Sequence, residues 1–306
     1  MKASVIIPAW GDTPYLAETR SCLAAQSLKD FEVIVAAPPP GEENAGAARN
    51  AGLSQAKGEW IFFVDADDCP TPDYLESAIA AGEKSGADVV AFRADEVDVK
   101  LGTRAPMPYL SRIVPWSDGR IHSLDELGEK RFVTLGIAPW NKAVRRDFLF
   151  RHGITFQSIR RADDVAFTVE LLATANTFCA LNQSLIGYRV NNAKSQEATN
   201  SETPLNFYHA LIEAKRRLAG RHSSALHALA KEMIAYHLHS VRNVEAYRKV
   251  LDFLAQHALG DFGIAVPSKT LKRMNGVSFA VCRALETLKD RGLMFCLRRF
   301  AGRMVS

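Results

Sequence analysis

Two aspartates one residue apart, Asp65 and Asp67, with Asp68 directly behind them, stand at the end of the apolar run Trp60–Val64. Carboxylate oxygens are hard ligands that suit Mg2+ or Mn2+. Proteins hold these ions with one or two carboxylates together with substrate phosphates. The same residues also read as a solvated acidic turn ahead of the helix that Thr71-Pro72-Asp73 begins. A second acidic pair, Asp163-Asp164, opens a polar helical stretch running to about Ala175. Adjacent carboxylates repel, which lifts the pKa of one of them toward the range useful to a general base. Acids also favour helix N-termini on electrostatic grounds alone, so capping is the competing role.

The elements that must position these acids alternate. Ala3–Ala9, Phe31–Ala37, Trp60–Val64 and Ala87–Phe92 are short β-branched or aromatic runs of the buried-strand type. Between them lie a helix from Pro14 to about Leu28, an alanine-rich helix over 45–57 ended by Gly58, and the helix after Thr71. Strand–helix alternation implies a doubly wound, mainly parallel α/β sheet, in which ligands bind at the carboxyl ends of strands. Residues 95–122 read as irregular, broken by Pro106, Pro108 and Pro115. Ser123-Leu124-Asp125-Glu126 fits a capping box opening a helix to about Leu135, and Thr177–Val190 reads as a further strand. From Pro204 onward the pattern is helical, so a boundary is expected near 195–205, with an α/β domain over 1–200 and a helical region over 201–306.

Several segments taken in order carry a family resemblance. Asn44-Ala45-Gly46-Ala47-Ala48-Arg49-Asn50-Ala51-Gly52, followed by Ala56-Lys57-Gly58-Glu59-Trp60 and the strand ending in Asp65-Ala66-Asp67-Asp68, resembles the inverting GT-A glycosyltransferases of family 2. Ser4-Val5-Ile6-Ile7-Pro8 looks like that family's opening strand. Trp140-Asn141-Lys142, Asp163-Asp164-Val165-Ala166-Phe167 and Tyr188-Arg189-Val190 are similar to its W-N-K, E-D-x-x-F and Y-R elements. The resemblance spans roughly residues 3–195. It implies a GT-A fold with a nucleotide-binding half over about 1–95 and an acceptor half over 96–200. It also implies a sugar-nucleotide donor, a Mn2+ or Mg2+ ion on the diphosphate, and transfer with inversion to a hydroxyl of a glycan or lipid-linked acceptor in cell-surface polysaccharide or lipopolysaccharide synthesis. On this basis Asp67 and Asp65 hold the metal. Pro8, Ala9, Trp10, Arg49, Asn50 and Asp65 bind the nucleotide, Asp164 is the base beside Asp163, and Trp140, Asn141 and Lys142 face the acceptor. The residues themselves also allow a salt bridge for Arg49, a core role for Trp140 and a solvated face for Lys142.

One segment departs from the family. Where an acidic pair usually follows the second strand and reads the uracil N–H, this chain has Val35-Ala36-Ala37-Pro38-Pro39-Pro40, with Glu42 and Glu43 as the nearest acids. A uridine-diphosphate sugar is the favoured donor, and the base is the least determined part of it. The departure also motivates a glycosyltransferase-like binding protein without activity. A strand ending in D-x-D further resembles aspartyl-phosphate hydrolases, with Asp65 as nucleophile and a downstream lysine, but that scheme leaves Arg49-Asn50 and Trp140-Asn141-Lys142 unexplained.

Composition sets the outer bounds. With 47% hydrophobic and 24% charged residues, the chain is globular rather than disordered. Its five cysteines are odd in number and lack a C-x-x-C pair. That argues against a disulfide framework or zinc site and for a reducing, cytoplasmic setting. The N-terminus lacks the pattern of a secretory signal, and no run reaches the ~18 apolar residues of a membrane span. The formal charge of +4 hides an asymmetry. Residues 268–306 carry nine basic side chains against Glu286 and Asp290, in a pattern of two short amphipathic helices around Gly292. Such a tail suits either an anionic membrane surface or packing on the rest of the protein, and nothing in the sequence resembles a nucleic-acid-binding fold.

Overall fold

The computed structural model describes residues 1–11, 13–190, 202–241 and 244–266. The basic stretch 268–306, and with it the choice between membrane contact and packing, lies outside the described residues, as does most of the expected boundary region.

Among the described residues nine strands form one sheet. They are β1 (Ala3–Pro8), β2 (Phe31–Ala36), β3 (Trp60–Phe63), β4 (Cys69–Pro70), β5 (Val89–Asp98), β6 (Thr103–Pro106), β7 (His122–Ser123), β8 (Lys142–Arg145) and β9 (Thr177–Val190). The order is β2-β1-β3-β8-β5-β9-β4, with β6 on β5 and β7 on β9. The helices are α1 (Leu16–Ala24), α2 (Ala45–Gln55), α3 (Tyr74–Ser85), α4 (Arg131–Thr134), α5 (Arg146–His152), α6 (Asp163–Thr174), α7 (Asn206–Leu218), α8 (Ser223–Ser240) and α9 (Val244–Phe262).

The expected α/β architecture is present, in a mixed sheet. β1 is parallel to both β2 and β3, and β5 is parallel to β9, but β8 runs antiparallel between β3 and β5. Every residue of β1 is buried, as expected of a central strand that is apolar but for Ser4, whose hydroxyl donates to Glu32 at 2.7 Å. Two of the three prolines of the region expected to be irregular end up at element ends, while Pro115 lies inside a 3-10 helix. Pro106 closes the edge strand β6, and Pro108 starts a 3-10 helix over Pro108–Trp116. The Ser123 capping box forms as the sequence suggests, but it opens a 3-10 helix, Leu124–Lys130, that leads into α4.

The cysteine expectation fails at one pair. Cys22 of α1 and Cys69 of β4 form a disulfide with their Cα atoms 5.7 Å apart, and Cys179 is a buried thiol. Spacing rules read local pairs, whereas these two cysteines are 47 residues apart and meet only because α1 packs on the chain that follows β3. Cysteine usage therefore no longer argues for a reducing compartment. No helix among the described residues is long and apolar enough to cross a membrane.

Residues 1–192 and 206–229 form one compact unit, so α7 and the opening of α8 group with the sheet. Arg217 of α7 makes an ion pair of 2.8 Å with Glu170 of α6 and donates to the Thr155 carbonyl at 2.6 Å. The second unit, 193–205 and 230–306, has its own small apolar cluster of Val241, Tyr247 and Leu251.

One close approach fixes the geometry that matters below. A Cβ on Gly46 of α2 would lie 2.2 Å from the Gln157 carbonyl oxygen and 2.9 Å from the Asp163 Cβ. Gly46 thus lets the first turn of α2 touch the chain that leads into α6. Gly46→Ala is expected to destabilise the protein by about 1–3 kcal/mol despite the better helix propensity of alanine, because backbone must move to admit the methyl group. A denaturation midpoint at or above that of the wild type would show the contact to be soft.

Candidate functional site

The register of the parallel strands gathers the sequence-predicted residues on one edge of the sheet. Ile6 pairs with Phe63 and Pro8 with Ala36, the Val64 amide donates to the Ile6 carbonyl at 3.0 Å, and the Ala9 amide donates to Ala36 at 2.9 Å. The chain after β1 (Pro8, Ala9 and the exposed Trp10), the end of β2 and the Asp65–Asp68 turn therefore emerge side by side. This is where open α/β sheets bind ligands.

Arg49 ties this edge to α6. It projects from α2, whose start is fixed by Asn44, the side chain of which accepts from the Ala47 amide at 2.8 Å. Arg49 is buried. Its Nη2 donates to Asp65 Oδ1 at 2.6 Å, its Nη1 donates to Asp163 Oδ2 at 2.5 Å, and its guanidinium carbon lies 5.3 Å from the centroid of the Phe156 ring. Burial works against its charge, but Asp163, Asp65 and Asp164 outweigh that effect and hold it above its ordinary range. Asp65 is partly exposed, while Asp163 is buried and lifted above the usual carboxylate range by that burial, against the pull of Arg49. Asp164 is raised to about 7, by burial first and by the neighbouring Asp163 second. Ala162, just before α6, has φ 58°, a left-handed conformation uncommon for alanine that sets the direction in which the acidic pair leaves the chain.

The Asp65–Asp68 turn is closed by the Asp68 amide donating to the Asp65 carbonyl at 3.1 Å. Asp68 is fully buried. Its Oδ1 accepts from the Arg189 amide at 3.2 Å, while its Oδ2 has no hydrogen-bond partner. Burial, then Asp65 and Asp67, push its carboxyl well up. The donor set is chemically right for a hard divalent cation. Among the described residues, however, no three His, Cys, Asp or Glu side chains are gathered to cage one. The residues fit a cation that arrives with phosphate oxygens of its own rather than one resident on protein ligands alone.

The other predicted residues hold backbone. Asn50 donates through Nδ2 to the Phe156 carbonyl at 3.0 Å and accepts from the Phe156 amide at 2.8 Å. Asn141 and Lys142 are buried, and Lys142 Nζ donates to the carbonyls of Leu135 (3.0 Å), Gly136 (2.8 Å) and Ala138 (2.8 Å) and to Asn141 Oδ1 at 2.7 Å. Burial lowers its amine to about 7, with Asp164 acting in the other direction. Trp140 is buried and stacks on Tyr188 at 5.3 Å between centroids. Glu42, the acid nearest the missing base reader, accepts from the Ser158 hydroxyl at 2.7 Å, and Glu43 is exposed.

Two contributions escaped the sequence reading. Phe156 carries Arg49 and stacks on Phe167 at 3.9 Å, and the only cue was an aromatic residue shortly before the acidic pair. The inner face of α1 grips the acidic turn through side chains of ordinary helical spacing.

Residues 40–150 match the model for Glycosyl transferase family 2. The chain is 25% identical over 301 residues to a poly(ribitol-phosphate) beta-N-acetylglucosaminyltransferase, TarS of Staphylococcus aureus, covering 88% of this chain and 50% of the relative. It is 25% identical over 212 residues to the uncharacterized glycosyltransferase EpsJ of Bacillus subtilis, covering 61% of each. The chain thus spans about half to three fifths of the length of these relatives. Among solved structures it is similar in fold to TarS residues 1–349 in complex with UDP-GlcNAc, with a TM-score of 0.65 at 20% identity and coverage of 95% of this chain and 92% of that one. It is also similar to the Pyrobaculum calidifontis mannosyltransferase PcManGT in complex with GDP-Man and Mn2+, with a TM-score of 0.51 at 18% identity and coverage of 95% and 88%. The ordered motifs, the family model matching residues 40–150 and the GT-A-like sheet agree, and each likens this chain to glycosyl transferase family 2.

Proposed function

We propose that this protein is an inverting glycosyltransferase that moves a sugar from a nucleoside-diphosphate donor to a hydroxyl of a glycan or lipid-linked acceptor. The observation that carries this reading is the buried Arg49 joining Asp65, at the end of β3, to Asp163, at the start of α6. That bridge sets the acids expected at a diphosphate beside the carboxyl group suited to proton abstraction. The relatives support the donor class, since TarS has been crystallised with UDP-GlcNAc and PcManGT with GDP-Man and Mn2+.

Asp67 and Asp65 would hold a Mn2+ or Mg2+ ion, which supplies a Lewis acid for the negative charge of the departing diphosphate. Asp65 is shared with Arg49, so the guanidinium fixes the direction of its second oxygen. Asp164 is the base that takes the proton from the acceptor hydroxyl as the sugar–oxygen bond forms. Its raised pKa makes the carboxylate a stronger proton acceptor while leaving a substantial ionised fraction at neutral pH. Asn50 pins the 156 segment from α2, and Lys142 with Asn141 draws the loop 135–141 inward, so the walls of the site are held by side chains that spend their polar atoms on backbone.

A D-x-D phosphohydrolase is disfavoured by the same contacts. Asp65 is occupied by Arg49, and the buried Lys142 directs its N–H groups at carbonyls rather than toward a phosphate. Contact of residues 268–306 with an anionic surface remains part of the proposal for a lipid-linked acceptor.

Calorimetry should find no Mn2+ binding to the protein alone, and binding once UDP or a UDP-sugar is present. Failure of every nucleotide in a UDP, GDP, ADP and CDP panel would end the enzyme reading. Asp164→Asn should lower kcat by about 10²–10⁴-fold and leave donor affinity nearly unchanged, whereas lost donor affinity would assign Asp164 to donor binding. Because the base must be ionised, log kcat/KM should rise with unit slope as pH increases toward about 7 and level above it. A flat profile between pH 5 and 8 would exclude Asp164 as the titrating base.

A further inference from the structure

Tyr15, Glu18, Thr19 and Cys22 have the spacing of one face along α1 and its N-cap, and Gln26, just past the C-terminal end of the helix, continues this stripe. Every member of this stripe contacts the segment 66–75 or Arg189. The Arg189 guanidinium carbon lies 4.5 Å from the centroid of the Tyr15 ring, and its Nη2 pairs with Glu18 Oε1 at 2.5 Å. Cys22 is bonded to Cys69. Gln26 donates through Nε2 to the Thr71 carbonyl at 2.6 Å and accepts from the Leu75 amide at 3.1 Å.

Thr19 sits at the centre of this stripe and is fully buried. Its hydroxyl lies 2.9 Å from the Ala66 carbonyl oxygen and 2.8 Å from the Asp68 carbonyl oxygen. One proton is thus shared between the two carbonyls that flank Asp67. A threonine inside a helix has an easier partner, the carbonyl four residues back, as Ser21 shows by donating to Ala17 at 3.0 Å. Thr19 instead reaches across to another segment, and the two atoms it reaches bracket the residue assigned to the cation.

We infer that Thr19 is a positioning residue, which fixes the backbone on both sides of Asp67 and so sets that carboxylate for a divalent cation carried on a nucleoside diphosphate. The inference rests on the function proposed above. Carboxylate–cation geometry is demanding for Mg2+ and Mn2+, and a supporting contact of this kind typically changes metal affinity by about 10–100-fold when removed. The hydroxyl here is shared between two carbonyls and assisted by the Cys22–Cys69 bond, so a smaller effect is expected.

Thr19→Val keeps the shape and removes the proton donor, while Thr19→Ser keeps the donor. Both are made in the full chain and compared with the wild type in non-reducing buffer, so that the disulfide is intact. Three measurements are taken: thermal midpoint, hydrogen exchange of the amides of residues 66–69 without ligand, and calorimetric titration with UDP plus Mn2+. The expected result for Thr19→Val is faster exchange confined to residues 66–69 and an affinity for Mn2+–UDP lowered by roughly 5–30-fold, with Thr19→Ser close to wild type. Unchanged Mn2+–UDP affinity in a folded Thr19→Val would overturn the inference, as would a serine variant as impaired as the valine one. Should the valine variant not fold, Thr19→Ala is read by the same criteria. If the wild type itself binds no Mn2+–nucleotide, the proposed function fails. In that case unaltered exchange at 66–69 would separately remove Thr19 from any part in holding the turn.

Discussion

A buried guanidinium with two carboxylates is the constraint on which the rest of this molecule turns. Arg49 is almost completely removed from water, so its charge must be matched inside the protein or the fold bears the desolvation cost. One carboxylate comes from the end of β3 and the other from the first turn of α6, while the arginine belongs to α2. Two consecutive elements, α2 and β3, and the distant α6, 114 residues on from Arg49, are thereby required to meet at one point. Such a pair is weak evidence for stability, because its attraction is offset by desolvation, but removing one partner would strand an uncompensated charge. Its better-supported consequence is geometric. Asp65 and Asp163 cannot drift apart without leaving Arg49 unmatched, and Asp164 is carried along with Asp163.

The polar side chains around this centre are used mainly on backbone. Lys142 and Asn141 engage carbonyls of the loop 135–141, and Asn50 makes a two-way bond to Phe156. A buried polar network of this kind is costly if half satisfied and rigid if complete. Here it ties the loop 135–141 and the Phe156 backbone to buried side chains. It also explains why W-N-K residues with chemistry-bearing side chains lie inside the protein rather than on the surface of the site. Their chemistry is spent on shape.

The sequence was most legible where function and local pattern coincide. Asp65-x-Asp67 at a strand end, the Ala-Arg-Asn run and the Asp163-Asp164 pair stand out because their residue types are unusual for their positions and follow one another in a known order. Strand and helix locations were readable from apolar runs and caps, with errors mostly at the ends. α1, for instance, stops at Ala24 rather than near Leu28. The antiparallel β8 was not readable, since four residues give no periodicity and their direction depends on the loop before them. The Cys22–Cys69 bond was invisible for a related reason, being a product of tertiary packing rather than of spacing. Thr19 and Gln26 look like ordinary polar residues on a helix until the partner segment is in view.

The acidic turn is consequently held from two sides by different physics. Arg49 holds it from the α2 side through charge, acting on the side chain of Asp65 and leaving the backbone alone. α1 and the Gln26 that follows it hold it from the other side, through hydrogen bonds of a hydroxyl and an amide with the backbone of residues 66–75 and through a disulfide to Cys69. The division is functionally sensible. Under the function proposed above, a carboxylate that exchanges partners as a charged ligand comes and goes needs a side chain whose electrostatics can respond, on a backbone that does not. Neutral hydrogen bonds and a disulfide give the second property without adding charge to a turn that already carries three aspartates. Asp68 completes the arrangement. It is buried and pushed toward its neutral form by Asp65 and Asp67 as well as by burial, so it contributes less repulsion than its position in the sequence suggests. Three consecutive-looking acids thus differ in role. Asp65 answers to an arginine, Asp68 belongs to the interior, and Asp67 stands between two carbonyls that are pinned for it.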